Sequence, residues 1–158
     1  MAQQLFLTLG ATQRGAGTAE ASRAVVGQWL RGKVGNAASA GTVVVNGSGL
    51  SRESRLSALA IGRLLQAAWA SPVMAELMSS LPVTGVDGTL RRARSLPGRA
   101  HLKTGSLRDV VGVAGYVLAD SGRRYAVAAI VNHANANAAR PALDALVDWV
   151  AADAPARP

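Results

Sequence analysis

The sequence holds no cysteine, which excludes disulfides, thiol catalysis and zinc–thiolate sites and leaves the redox compartment open. Aromatic residues make up only 4%, too few for a surface that grips single-stranded nucleic acid by stacking bases. No apolar run reaches the roughly 18 residues that a membrane span needs. The opening stretch, residues 1–10, has no basic lead-in and is too short for a signal peptide. Acidic residues number 9 against 17 lysines and arginines. Within that basic set lysine is the rarity: only Lys33 and Lys103 interrupt the arginines.

What is present fits one domain. With 158 residues, 49% hydrophobic and 16% charged, the chain has the length and the apolar content for a true core. The formal charge of +8 would suit a polyanion. The arginines, however, are spread from Arg14 to Arg157, with one cluster at Arg91, Arg92, Arg94 and Arg99. A solvated basic surface is the simpler reading, and no nucleic-acid partner is expected. A small basic module that binds nucleic acid or an anionic glycan is the alternative.

Hydrophobic spacing predicts the elements. Ala2, Leu5, Phe6 and Leu9 share a helical face, followed by a loop after Gly10. A second helix runs from an N-cap at Thr18 to about Arg31, with Ser22, Val25, Val26 and Trp29 on one side and Gly32 to stop it. Thr42–Val45 reads as a short strand closed by the turn Asn46-Gly47-Ser48-Gly49. Ser57 caps a helix over 58–70, and a short helix follows over 73–80. Residues 83–99 form a long loop, a length that is usually functional or disordered. Three strands follow, over 101–107, 110–118 and 125–132, the last two joined by a hairpin turn at 120–123. The closing helix, 141–151, places Leu143, Leu146, Val147 and Val150 on one face. The order predicts an α+β fold, an antiparallel sheet with packed helices, over residues 1–152, with 153–158 as a tail.

The chemistry concentrates at Lys103-Thr104-Gly105-Ser106-Leu107. An ammonium is a compact charge that exchanges a proton when burial lowers its pKa, whereas a guanidinium does not. Thr104 brings a hydroxyl, and Gly105 lets a ligand come close to the backbone. Alone, Lys-Thr-Gly is also what a plain strand end with a solvated lysine looks like. Its context makes it more specific. Asn46-Gly47-Ser48-Gly49-Leu50-Ser51-Arg52, then Leu81-Pro82 with Gly85 and Asp87-Gly88-Thr89-Leu90, then the lysine motif, then Gly112-Val113-Ala114-Gly115-Tyr116 follow one another in order.

This succession, over 1–149, resembles the C-terminal part of the low-molecular-mass penicillin-binding proteins that act as D-alanyl-D-alanine carboxypeptidases and endopeptidases. The resemblance implies a partial penicillin-binding, β-lactamase-like transpeptidase domain. It implies no cofactor and no metal. It also implies a periplasmic location, and as partners peptidoglycan D-Ala-D-Ala peptides and β-lactams. Lys103 would serve the nucleophile as an electrostatic and proton-relay partner. Thr104, beside Gly105, would bind the terminal carboxylate of the peptide. The backbone N–H of Ser106 would form half of an oxyanion hole. The chain departs from the family by having neither the Ser-x-x-Lys nucleophile motif nor Ser-x-Asn, and Asn46 stands where the family usually has Asp. The missing N-terminal part of the same domain is then an expected partner, with Met1 an internal methionine. Alone, these residues are expected to be inactive and to leave apolar surface uncovered. His101 and His133 are read as strand and strand-end residues, Asp87 as a turn residue, Ser48 as structural and Arg108 as solvated.

Overall fold

A computed structural model of the chain describes residues 1–91 and 96–153. They form two compact units, Met1–Leu64 and Leu65 onward.

In the first unit, α1 (Ala2–Arg14) and α2 (Ala19–Val34) make a helical hairpin, followed by one turn of helix, α3 (Asn36–Ser39). The expected loop after Gly10 is not there: α1 continues to Arg14 and ends at Gly15, whose φ of 71° is the left-handed cap. Gly10 marks a close approach of the two helices instead. A Cβ there would sit 2.5 Å from Ser22 Oγ. The expected α1 face also shifts: Phe6 and Gly10 are buried, whereas Leu5 and Leu9 are exposed. Thr18 caps α2 as predicted, its Oγ1 accepting from Ala21 N–H at 3.2 Å. Gly32 does not stop that helix. One more turn lets Val34 join Leu30 and Ala38 in a small core, so Leu30 and Val34 are buried where Trp29 had been expected. The strand predicted over Thr42–Val45 reduces to a single bridge, Val43 with Arg55. A strand needs a neighbour along its length, and here one residue finds one. The turn after it is as predicted: Asn46 Oδ1 accepts from Ser48 Oγ and Gly49 N–H.

Helix α4 (Ala58–Trp69), capped by Ser57 Oγ on Ala60 N–H, carries the chain into the second unit. There α5 (Met74–Ser80) leads to the sheet, β1 (Ala100–Ser106), β2 (Val110–Leu118) and β3 (Arg124–Asn132), and then to α6 (Arg140–Ala151). The sheet is antiparallel in the order β1-β2-β3. Its core comprises Ala100, Leu102, Val113, Val117 and Val127 from the strands, closed by Val147 and Ala151 of α6. Leu143, Leu146 and Val150 flank that contact, so the predicted helical face is the packed one. The α+β architecture is the one predicted. No helix among the described residues is long and apolar enough to cross a membrane.

Two glycines of β2 accommodate a neighbouring strand. At Gly115, φ is 151° and a Cβ would lie 2.0 Å from His101 C=O, so only glycine fits against β1 there. Gly112 makes a looser approach on the β3 side, where a Cβ would lie 3.0 Å from Ala129 C=O.

Candidate active site

Strand parity organises the site. In β1, Leu102 faces Gly115, Thr104 faces Val113 and Ser106 faces Val111 across the ladder. Odd-numbered residues turn their main-chain groups towards β2: Leu118 N–H donates to Arg99 C=O, and Leu107 N–H to Val110 C=O. Even-numbered residues turn theirs to the outer edge. Leu102 N–H reaches Pro82 C=O at 2.9 Å and Thr84 N–H reaches Ala100 C=O at 3.0 Å, which adds a short ribbon along the first half of β1. By the same alternation, the N–H groups of Thr104 and Ser106 project from the outer edge, past the end of that ribbon.

Side chains alternate across the strand too. Ala100 and Leu102 point into the α6 core, and Thr104 and Ser106 continue that face. His101 and Lys103 belong to the opposite face, which also carries Tyr116. The Tyr116 hydroxyl donates to Leu65 C=O at 2.7 Å, and burial raises its pKa above the ordinary phenol value. Its ring lies 5.4 Å from Trp69, over which Arg124 stacks at 5.7 Å. The exposed Lys103 folds its ammonium back to the strand's own edge, where it donates to Thr104 C=O. At Gly105 a Cβ would meet nothing within 4 Å, so the strand surface is bare there.

On the α6 face a cavity of about 520 Å³ opens beside Thr104 and Ser106, floored by Leu102, Val113 and Val147. That is within the range of small-molecule sites, about 300–1,000 Å³. Its rim is polar. Thr104 Oγ1 lies 2.9 Å from Thr89 Oγ1. Arg140 Nη2 donates to Ser106 Oγ at 2.7 Å, while its Nε and Nη2 both reach Asn137 Oδ1 at 3.3 Å. Asn137 Nδ2 in turn donates to Arg108 C=O at 3.5 Å.

The four residues singled out from the sequence therefore share one strand, with Lys103 on one face and the two hydroxyls on the other. Sequence reasoning missed Thr89, Asn137 and Arg140. Thr89 was within reach, since it stands in the quoted Asp87-Gly88-Thr89-Leu90 motif. Arg140 carries no such signal, because only the fold brings it to Ser106 from 34 positions away.

The remaining candidates have other employment. Asp87 Oδ1 accepts from Val83 N–H at 2.7 Å, the turn role expected of it. His101 Nδ1 lies 3.2 Å from Met78 C=O, and His133 Nδ1 accepts from Asn135 N–H at the end of β3. Ser48 Oγ is held within its turn by Asn46 and Leu50. Of the arginine cluster, Arg92 and Arg94 lie outside the described residues, as do residues 154–158 of the expected tail. Arg99 is paired with Asp120 at 2.7 Å.

Comparison with known proteins meets this geometry. The chain is 36% identical over 115 residues to the carboxypeptidase DacB of Mycolicibacterium smegmatis, a match covering 67% of this chain and 25% of that one. It is 35% identical over 124 residues to a D-alanyl-D-alanine carboxypeptidase of an Actinomadura species, covering 73% and 23%. The chain thus spans about a quarter of the length of the curated relatives it matches. Its fold is similar to that of penicillin binding protein 4 from Haemophilus influenzae, solved in complex with a β-lactam. That TM-score is 0.71 at 24% identity, over 83% of this chain and 31% of the other. Residues 1–153 match the model of a family of D-Ala-D-Ala carboxypeptidases. With nearly its whole length inside that match, the chain belongs to the D-Ala-D-Ala carboxypeptidase 3 (S13) family.

Proposed function

We propose that this chain is the C-terminal part of a serine-type D-alanyl-D-alanine carboxypeptidase or endopeptidase that cleaves peptidoglycan peptides on the outer side of the cytoplasmic membrane. The observation that carries the reading is the outer edge of β1, where the even-numbered N–H groups face away from the sheet beside the bare surface at Gly105. A peptide added along that edge gains main-chain hydrogen bonds. Its scissile carbonyl then meets Ser106 N–H, a donor already aimed at the charge that develops in the transition state. Lys103, on the same edge, supplies a positive charge and a proton-transfer group beside the attacking serine. Thr104 supplies a hydroxyl for the peptide's terminal carboxylate. The relatives' names, and the β-lactam bound by the Haemophilus protein, support the same substrate class.

The serine itself is not among the motifs of these residues. Ser48, the first alternative, is engaged in its own turn. The 158 residues alone are therefore expected neither to acylate with a labelled penicillin nor to release D-alanine from a D-Ala-D-Ala peptide. A longer protein that joins this chain to a Ser-x-x-Lys segment is expected to do both. In that protein Lys103→Ala should lower turnover by about 10²–10⁴-fold, the usual contribution of a positioned proton-transfer group. Thr104→Val should raise KM for the peptide. Covalent labelling of the isolated chain, or normal turnover with Lys103→Ala, would overturn the assignment.

A further inference from the structure

The cavity rim raises a question that the Lys-Thr-Gly motif does not answer. A peptide paired along β1 with a carbonyl on Ser106 N–H ends one residue later in a carboxylate, which needs a cation. Lys103 belongs to the opposite face of the strand from the hydroxyls of Thr104 and Ser106, and its ammonium is turned to the edge. Arg140 stands on the hydroxyl side. We propose that Arg140 is the residue that recognises the free α-carboxylate of the peptide's C-terminus, with the hydroxyls of Ser106 and Thr104 completing the site. The inference rests on the peptidase reading above and deepens it.

Three observations carry it. First, Arg140 is aimed. Asn137 Oδ1 receives both Nε and Nη2 at 3.3 Å, and Nη2 lies 2.7 Å from Ser106 Oγ, so the guanidinium plane is fixed at the mouth of the cavity. With Nε and Nη2 so engaged, the guanidinium keeps its Nη1 N–H donors and its positive charge for a carboxylate, in an orientation that a flexible lysine would not hold. Second, its charge is not spent. Among the described residues its partners are an amide and a hydroxyl, both neutral, whereas Arg99 and Arg123 of the same unit each pair with an aspartate. Third, its position does not serve the helix. Arg140 opens α6, where the helix macrodipole disfavours a cation. An anion bound beside it removes that penalty.

The test compares two peptides in the longer, Ser-x-x-Lys-containing protein. One ends in D-Ala-D-Ala with a free carboxylate, and the other is the same peptide as its C-terminal carboxamide. The wild-type protein is expected to prefer the free acid. Arg140→Ala should raise KM for the free acid by about 10- to 100-fold, the range for a lost hydrogen bond to a charged group. The acid-over-amide preference should fall towards unity. Arg140→Lys, which keeps the charge and loses the anchoring through Asn137 and Ser106, should retain a part of the preference, and it reads the same ratio should the alanine variant fail to fold. A preference that survives Arg140→Ala overturns the inference, as does an equal loss on both peptides at an unchanged melting temperature. A wild-type protein that cleaves neither peptide would remove the peptidase reading itself, and the inference with it.

Discussion

The two ends of α6 hold arginines of opposite standing. Beyond its C-terminus, Asp153 accepts hydrogen bonds from Tyr125 at 2.7 Å and Ser121 at 2.8 Å, and it pairs with Arg123 at 3.4 Å. The main chain is tied there as well: Asp120 N–H donates to Ala151 C=O and Ser121 N–H to Asp153 C=O. Arg99 completes this end by bridging Asp120 and Leu118 C=O. Arg99 and Arg123 thus each have an acid. At the N-terminal end Arg140 has an amide and a hydroxyl, beside an open cavity. An arginine answered by a carboxylate is consumed in fastening the fold. One held by neutral groups is positioned without being neutralised, and its field stays available to a ligand. One helix thus has a fastened end and a receptive end.

Substitutions of graded effect sharpen that contrast. The largest is expected at Leu102, which is 2% exposed and shared by the core and the cavity lining. Leu102→Ala should cost about 2–5 kcal/mol in urea unfolding, the usual range for a buried leucine. Because the core serves both ends, it should loosen both. Next is Gly115→Ala, whose new Cβ must displace the His101 carbonyl. A cost of about 1–3 kcal/mol is expected from the overpacking. Amide hydrogen exchange should locate the loss of protection in β1 rather than in α6. If α6 opened first, the view of β1 as the strand set by Gly115 would be wrong.

The smallest effect belongs to the fastened end and is read by pH. The Asp153 carboxyl is held below its ordinary pKa, first by the Tyr125 hydroxyl, then by Ser121, with a further contribution from Arg123. A folded-state pKa below the unfolded one means that the unfolded chain binds more protons in the interval between them. The stabilisation is therefore present above the ordinary aspartate value and fades as pH falls through the folded one. Tyr125→Phe should flatten this acid-side slope of the melting temperature and leave the neutral-pH acid-over-amide preference intact. A shift in that preference would mean that the two ends are not separable.

Much of the second unit was legible in the sequence because its partners are close along the chain. β2 begins and ends where its β-branched run does, and α6 buries the face that its spacing marked. The first unit was harder. Gly10 resembles a breaker in sequence, yet it is the point where Ser22 presses against α1. Residues Thr42–Val45 have strand composition but form one bridge, since a strand is decided by its neighbour and not by its own residues. In the site, Lys103 and Thr104 stood out by type. Their assignment to opposite faces, and the arrival of Arg140, follow from pairing that no local pattern encodes.

The alternation along β1 also bears on which sequence changes the site survives. The strand's register is pinned by the close approach at Gly115 and by the short turn in which Leu107 N–H meets Val110 C=O. A residue inserted within 101–103 would exchange the two faces for everything on one side of it. Either Leu102 would leave the core, or Ser106 would turn its N–H into the ladder and its hydroxyl away from Arg140. Variation in this strand is thus confined to replacing one side chain with another. A change of length, even by a single codon, would erase the site while leaving every residue of the motif in the sequence.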